Sequence, residues 1–220
     1  MSQDNDDSSS RNVIADIAPG VKTYNKVHLS RTLIMGDSMI SRLSMGNFKD
    51  NIDSNQEEFI RKSFNGGTCE EMREYSKVIL EKFRPQQLIF HGGTNDISNG
   101  AREKTLNEFK IVDDIIAIGR TAKECGTERI FISSILERSW GRYYTNTTKR
   151  LNQLLQKACS DEGFIFIDNE DITKWHTSND GLHMSKEGNM ILTFNFLSNC
   201  FFTFNPYLCN EFYSQYIDAL

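Results

Sequence analysis

The chain has 220 residues, with 25 Lys+Arg against 30 Asp+Glu and a formal net charge of −5. That length suits a single core. Apolar residues at 38% alongside 14 glycines exclude a wholly disordered chain and a polytopic membrane protein, whose spans would raise the apolar share much further. The acidic balance argues against nucleic acid as a partner of this chain, because a phosphate backbone is normally met by a basic face.

Residues 1–12 are rich in Asp, Ser, Asn and Gln and lack an apolar run. They read as a disordered acidic leader rather than a signal peptide, which makes a cytoplasmic location the default. Residues 13–31 are weakly apolar and broken by Pro19-Gly20, an extended lead-in. Short apolar runs then follow at Leu33–Met35, Glu58–Ser63, Leu88–Phe90, Ile130–Ile132 and Phe164–Ile167. Several are apolar throughout, as strands covered on both faces are.

Helical patterns lie between them. The stretch Met39–Met45 opens behind Asp37 or Ser38 as cap. The stretch Thr68–Phe83 stops before Pro85. Leu106, Phe109, Ile111, Val112, Ile115, Ile116 and Ile118 form one stripe, and Gly126 terminates it. Thr147–Cys159 carries Leu151, Leu154, Leu155 and Ala158 on one face and closes near Gly163. Ser185 and Glu187 open a last helix running to Leu197.

Alternation of this kind predicts a three-layer α/β/α sandwich on a five-stranded, mainly parallel sheet over residues 32–199. Residues 200–220, with Phe201, Phe202 and Phe204, read as an apolar tail packed on that domain. The stretch Asn189–Asn210 is uncharged, but its Thr, Asn, Ser and Pro residues argue against a membrane span. Five cysteines, Cys69, Cys125, Cys159, Cys200 and Cys209, are widely spaced without a CxxC pair. They suit reduced thiols packed as small apolar groups, not a disulfide framework or a zinc site. No metal and no organic cofactor is expected.

In a parallel α/β sheet, ligands bind at the carboxyl ends of the strands, and four short blocks fall there. The first is Gly36-Asp37-Ser38, where the residues by themselves favour a helix cap over a hydroxyl presented at the sheet edge. The second is Asn65-Gly66-Gly67-Thr68, a glycine pair that lets amides approach a ligand or simply turns the chain. The third is His91-Gly92-Gly93-Thr94-Asn95-Asp96, which offers a carboxamide or an Asn/Asp turn. The fourth is Asp180-Gly181-Leu182-His183, where a carboxylate can hold one imidazole nitrogen and leave the other as base. No Gly-x-Ser-x-Gly elbow, phosphate-binding Gly-x-x-x-x-Gly-Lys-Ser/Thr or Gly-x-Gly-x-x-Gly is present.

Taken together these blocks resemble the SGNH (GDSL-type) hydrolases, over about Thr32 to Leu197. The resemblance implies Ser38 as nucleophile, Asp180 and His183 as acid and base, and Ser38, Gly66 and Asn95 as oxyanion donors. Where the family often has Gly-Asp-Thr this chain has Gly66-Gly67-Thr68, so the second donor stands between Gly66 and Gly67. It further implies a serine esterase cleaving small ester substrates, acetylated or lipid-like, through an acyl-enzyme, with small acyl groups such as acetyl favoured. His91, Trp140 and Tyr143 are candidates for substrate binding, the last two with Tyr144 in a loop after the fourth strand.

The lead-in Pro19–Tyr24, the Gly-Asp-Ser block and Gly181–Gly188 resemble the esterase-type domains in first-frame proteins of some animal retrotransposons. Without a long heptad run, zinc knuckle or basic cluster, this points to a fragment or stand-alone copy. Two other classes compete with the esterase: a non-catalytic SGNH-fold binding module, and a retroelement-derived assembly protein, against which the charge counts.

Overall fold

The computed structural model describes residues 12–14, 24–26, 30–46, 57–137, 141–178, 180, 181 and 183–200. Most of the leader, the C-terminal tail with Cys209, and Trp140 lie outside the described residues. Within the lead-in, strands β1 (Asn12–Ile14) and β2 (Tyr24–Lys26) pair antiparallel as a separate two-stranded sheet.

The main sheet holds β3 (Ser30–Gly36), β4 (Glu57–Ser63), β5 (Gln87–His91), β6 (Arg129–Ser133) and β7 (Ile165–Ile167). Its order is β4-β3-β5-β6-β7, and every pair is parallel. Side chains alternate between faces along a strand, and here the alternation sorts the core into two clusters. Leu33, Met35, Leu88, Phe90, Ile130 and Ile132 face one side. Ile34, Ile89, Phe131 and Ile167 face the other.

The first side is covered by α2 (Cys69–Phe83), α4 (Glu108–Glu124) and α5 (Arg142–Glu162), which contribute Met72, Leu80, Ile115, Ile118, Leu151 and Leu155. The second is covered by α1 (Ser38–Ser41) and α6 (Lys186–Cys200), through Met39, Ile40, Leu192 and Phe196. The three layers expected from the sequence are therefore present, with all five strands where the apolar runs place them.

Three local expectations are corrected. Helix α1 is a single turn, shorter than Met39–Met45. Helix α5 begins at Arg142, so Tyr143 and Tyr144 lie in its first turn rather than in a loop. Helix α3 (Thr94–Glu103) occupies a stretch read as a turn. Its Asn95, Ser98, Asn99 and Gly100 are weak helix formers, and Ile97 is its buried apolar anchor. Cys69, Cys159 and Cys200 are buried and Cys125 is half-buried, all as free thiols.

Gly36 has no room for a side chain. A Cβ there would lie inside the contact distance of the His91 carbonyl oxygen on the neighbouring strand. We expect Gly36→Ala to push β3 from β5 and to cost about 1–3 kcal/mol or more, read as a lower urea midpoint. An unchanged midpoint would contradict this packing.

Candidate active site

Strand pairing alone brings three of the four blocks together. Gly36 of β3 is in register with Ser63 of β4 on one side and His91 of β5 on the other. Ser38, Gly66 and Asn95 follow these residues by two, three and four positions, so they leave the sheet at adjacent points of one edge. The fourth block arrives from beyond β7. Thr177 and Met184 form an antiparallel bridge, and Met184 is buried in the cluster that holds Met39 and Ile40. The turn carrying His183 thus docks on the face that α1 covers.

At the first block the two readings separate. Asp37 is the cap: its Oδ1 accepts the Met39 N–H at 2.9 Å, and its own N–H donates to the His91 carbonyl at 3.2 Å. The Ser38 hydroxyl is therefore not spent on capping. As first residue of the helix, Ser38 also keeps an amide N–H with no intrahelical acceptor.

The second block resolves in the same way. The Gly67 N–H donates to the Phe64 carbonyl at 3.0 Å. Gly66, at φ +76, has open space around its Cβ position, and its amide has no acceptor among the described residues. Of the two glycines, Gly66 has the amide able to meet a ligand. Thr68 caps α2 through a reciprocal bond with Glu71.

The second and third blocks are tied to each other. Asn95 Nδ2 donates to the Gly67 carbonyl at 3.0 Å, and Asp96 accepts the Cys69 N–H with both oxygens at 3.1 Å. Burial raises the Asp96 carboxyl above its usual range, opposed by the Cys69 hydrogen bonds. Asp96 is a structural strut that the sequence reading missed; the Thr94-Asn95-Asp96 string looks like turn chemistry until the strand ends are placed.

The fourth block is a self-contained unit. His183 Nδ1 lies 2.7 Å from Asp180 Oδ2, and the His183 N–H donates to Asp180 Oδ1 at 2.9 Å. Ser178 Oγ donates to the same carboxylate at 2.7 Å, and the Ser178 N–H donates to the His183 carbonyl at 2.7 Å. An ionised carboxylate can only accept, so Nδ1 carries the proton and Nε2 is left as the basic nitrogen. The His183 side chain is 13% exposed and that of Asp180 45%. Among the described residues no hydrogen bond joins the Ser38 hydroxyl to His183; such bonds commonly tighten only when substrate is bound.

His91, a candidate for substrate binding in the sequence, lies inside the fold. It is fully enclosed, with 0% exposure, and its Nδ1 meets Ser133 Oγ at 2.9 Å. Asn169 donates to the same Ser133 oxygen at 2.8 Å, and Asn195 of α6 reaches Asn169 Oδ1 at 3.2 Å. This buried chain of polar groups fastens β5, β6 and the loop after β7 to α6 beneath the sheet edge. Tyr143 is exposed and stacks edge-on against Tyr144.

Residues 35–191 match the model of the GDSL-like lipase/acylhydrolase family. The chain belongs to that family. Among solved structures, an Axe2 mutant, an acetyl-xylooligosaccharide esterase from a Geobacillus species, aligns at TM-score 0.68 and 14% identity, over 82% of this chain and 99% of that one. Axe2, an acetylxylan esterase from Geobacillus stearothermophilus, aligns at 0.67 and 14%, over 79% and 95%. A GDSL-like lipase from Bacteroides thetaiotaomicron aligns at 0.61 and 18%, over 77% and 87%. At these identities the likeness is one of fold. No curated protein matches the chain.

This acylhydrolase family member holds no cluster of His, Cys, Asp and Glu able to bind a metal ion among its described residues. Nor, among those residues, is any helix long and apolar enough to cross a membrane.

Burial lowers the His91 pKa from 6.5 to about 4. The unfolded chain therefore takes up this proton near pH 6.5 and the folded one only near pH 4. Stability should fall as pH drops through that window and level off below it, by about 3 kcal/mol from this group. Urea midpoints across pH 4–7 check this: His91→Gln should flatten the profile relative to the parent chain, and parallel profiles would contradict the assignment.

Proposed function

We propose that the chain is a serine esterase that cleaves carboxylic esters of small acyl groups, acetyl above all, through an acyl-enzyme. The observation that carries this reading is the 2.7 Å bond between Asp180 and His183 Nδ1, because it leaves Nε2 as the base on a turn whose Met184 shares a core cluster with Met39 and Ile40, the residues that follow Ser38. Family membership supports hydrolysis of acyl groups. The acetyl preference draws on the fold neighbours described as acetylxylan esterases and is an argument by analogy.

In the first step His183 Nε2 takes the Ser38 hydroxyl proton as Oγ adds to the ester carbonyl carbon. The carbonyl oxygen becomes an oxyanion, met by the N–H groups of Ser38 and Gly66 and the Asn95 carboxamide. Asp180 holds the imidazole in the productive tautomer and stabilises the imidazolium. When the tetrahedral species collapses, the bond to the alcohol oxygen breaks, and His183 returns the proton to that oxygen. Water then adds to the acyl-enzyme, giving its proton to His183, and collapse releases the acid and restores Ser38.

The Gly67 carbonyl orients the Asn95 carboxamide by accepting one of its N–H groups, which makes the second and third blocks one rigid piece. Preorganisation of this kind lets donors act on developing charge without reorganising during the reaction.

With 4-nitrophenyl acetate as substrate, Ser38→Ala should reduce turnover by roughly 10⁴-fold or more, and Asn95→Ala by roughly 10²–10³-fold. Unchanged turnover in either variant rejects its assigned role. A fluorophosphonate probe should label the folded parent chain and not Ser38→Ala; failure to label it, with no turnover, would favour a non-catalytic binding module.

A further inference from the structure

Where the acid of a Ser-His-Asp triad is buried, the surrounding packing holds its carboxylate in place. Asp180 lacks that support, because its side chain is 45% exposed. The χ2 torsion of an aspartate is broad and nearly two-fold. An exposed carboxylate therefore keeps one chosen oxygen on a fixed point only where directional bonds hold it.

Both oxygens of Asp180 are engaged. Oδ2 meets His183 Nδ1 at 2.7 Å, and Oδ1 accepts the His183 N–H at 2.9 Å. These two bonds come from one residue, so they shift together if the His183 segment shifts. The Ser178 hydroxyl adds a bond with a separate origin, donating to Oδ1 at 2.7 Å. An ionised carboxylate only accepts, which fixes the direction of that bond.

Ser178 is itself anchored on both sides. Its N–H donates to the His183 carbonyl at 2.7 Å, and its carbonyl accepts the Gly181 N–H at 2.9 Å. Gly181 sits at φ +64, a left-handed conformation that glycine adopts without steric cost. The preceding residue, Thr177, bridges to Met184 and donates its hydroxyl to the Lys174 carbonyl at 2.6 Å. The Ser178 hydroxyl thus stands on a backbone held by the same turn that presents His183, and a single χ1 torsion is all that must be ordered to aim it.

We propose that Ser178 is a positioning residue for the reaction. Its hydroxyl pins Asp180 Oδ1, which keeps Oδ2 on His183 Nδ1 and holds the imidazole in one tautomer and one orientation. Removing the hydroxyl leaves the negative charge in place, because water can take the vacated position on an exposed carboxylate. What is lost is direction. Ser178 acts through Asp180 and touches no reacting atom. Its part in turnover rests on the esterase reading; its hold on the carboxylate does not.

The test has a kinetic arm and a spectroscopic arm, both on the full chain. With 4-nitrophenyl acetate, Ser178→Ala should lower kcat roughly tenfold and leave KM unchanged, since the hydroxyl orients groups that act on the transition state. Ser178→Thr, which keeps a hydroxyl, should recover most of the lost kcat. The second arm reads the bond directly by proton NMR. The His183 Nδ1 proton, held between ring and carboxylate, should give a downfield resonance in the parent chain that is absent from His183→Gln. Ser178→Ala should move that resonance upfield or lose it to solvent exchange, and Ser178→Thr should retain it. Ser178→Cys, a weaker donor at the same position, should lie between Ser178→Ala and the parent in both arms, and it carries the test if Ser178→Ala does not fold.

A kcat or a resonance that Ser178→Ala leaves unchanged overturns the proposal, and so does a parent chain without the resonance. A resonance that responds as expected in a parent chain that turns over no acetate leaves the hold on Asp180 standing and refutes the esterase reading instead.

Discussion

Parallel pairing of β3 with β4 on one side and β5 on the other is the constraint from which the site follows. It aligns Ser63, Gly36 and His91 across three strands, and every donor of the candidate site is counted a few residues onward from that row. A slip of one residue would turn each inward side chain outward and would stagger the three loops. The register is held from both faces, because alternate residues of β3 and β5 are committed to different clusters. Gly36 adds a steric requirement of its own, since the backbone of β5 occupies the place of its missing side chain.

The Asp180–His183 unit obeys a different logic. Its bonds join residues no more than five apart, through Ser178, Asp180 and His183, so the carboxylate–imidazole pair is preformed by local geometry. What must be supplied from afar is only its position. Met184 supplies that by burying itself among Met39, Ile40 and Ile172, and Gly188 of α6 packs against the His176 carbonyl. Orientation of the imidazole and docking of its turn are thereby separable: one depends on hydrogen bonds, the other on apolar burial.

Beneath the edge, buried polar groups link elements that the sheet alone would leave independent. His91, Ser133, Asn169 and Asn195 join three strand ends to α6. In a low-dielectric interior such a chain is favourable only if its members stay neutral, and the depressed pKa of His91, whose Nε2 is buried without a hydrogen-bond partner, fits that condition. Asp96 performs the comparable service between α2 and α3.

Much of this was legible in the sequence because it depends on near neighbours. The period of apolar residues gives all five strands, Gly126 and Gly163 mark helix ends, and the four blocks mark the candidate site. Helix α3 was not legible: its residues have weak helical preference, and its formation depends on Ile97 reaching the core. His91 could not be sorted from the cleft residues either, since burial of a polar side chain depends on Ser133 and Phe196, far along the chain. By itself, the sequence determined which side chains are available for chemistry and the order in which strands and helices alternate. Tertiary structure decided which of two glycine amides is spent and which histidine is enclosed. Those outcomes turn on contacts between distant segments, which exist only once strand order and register are set.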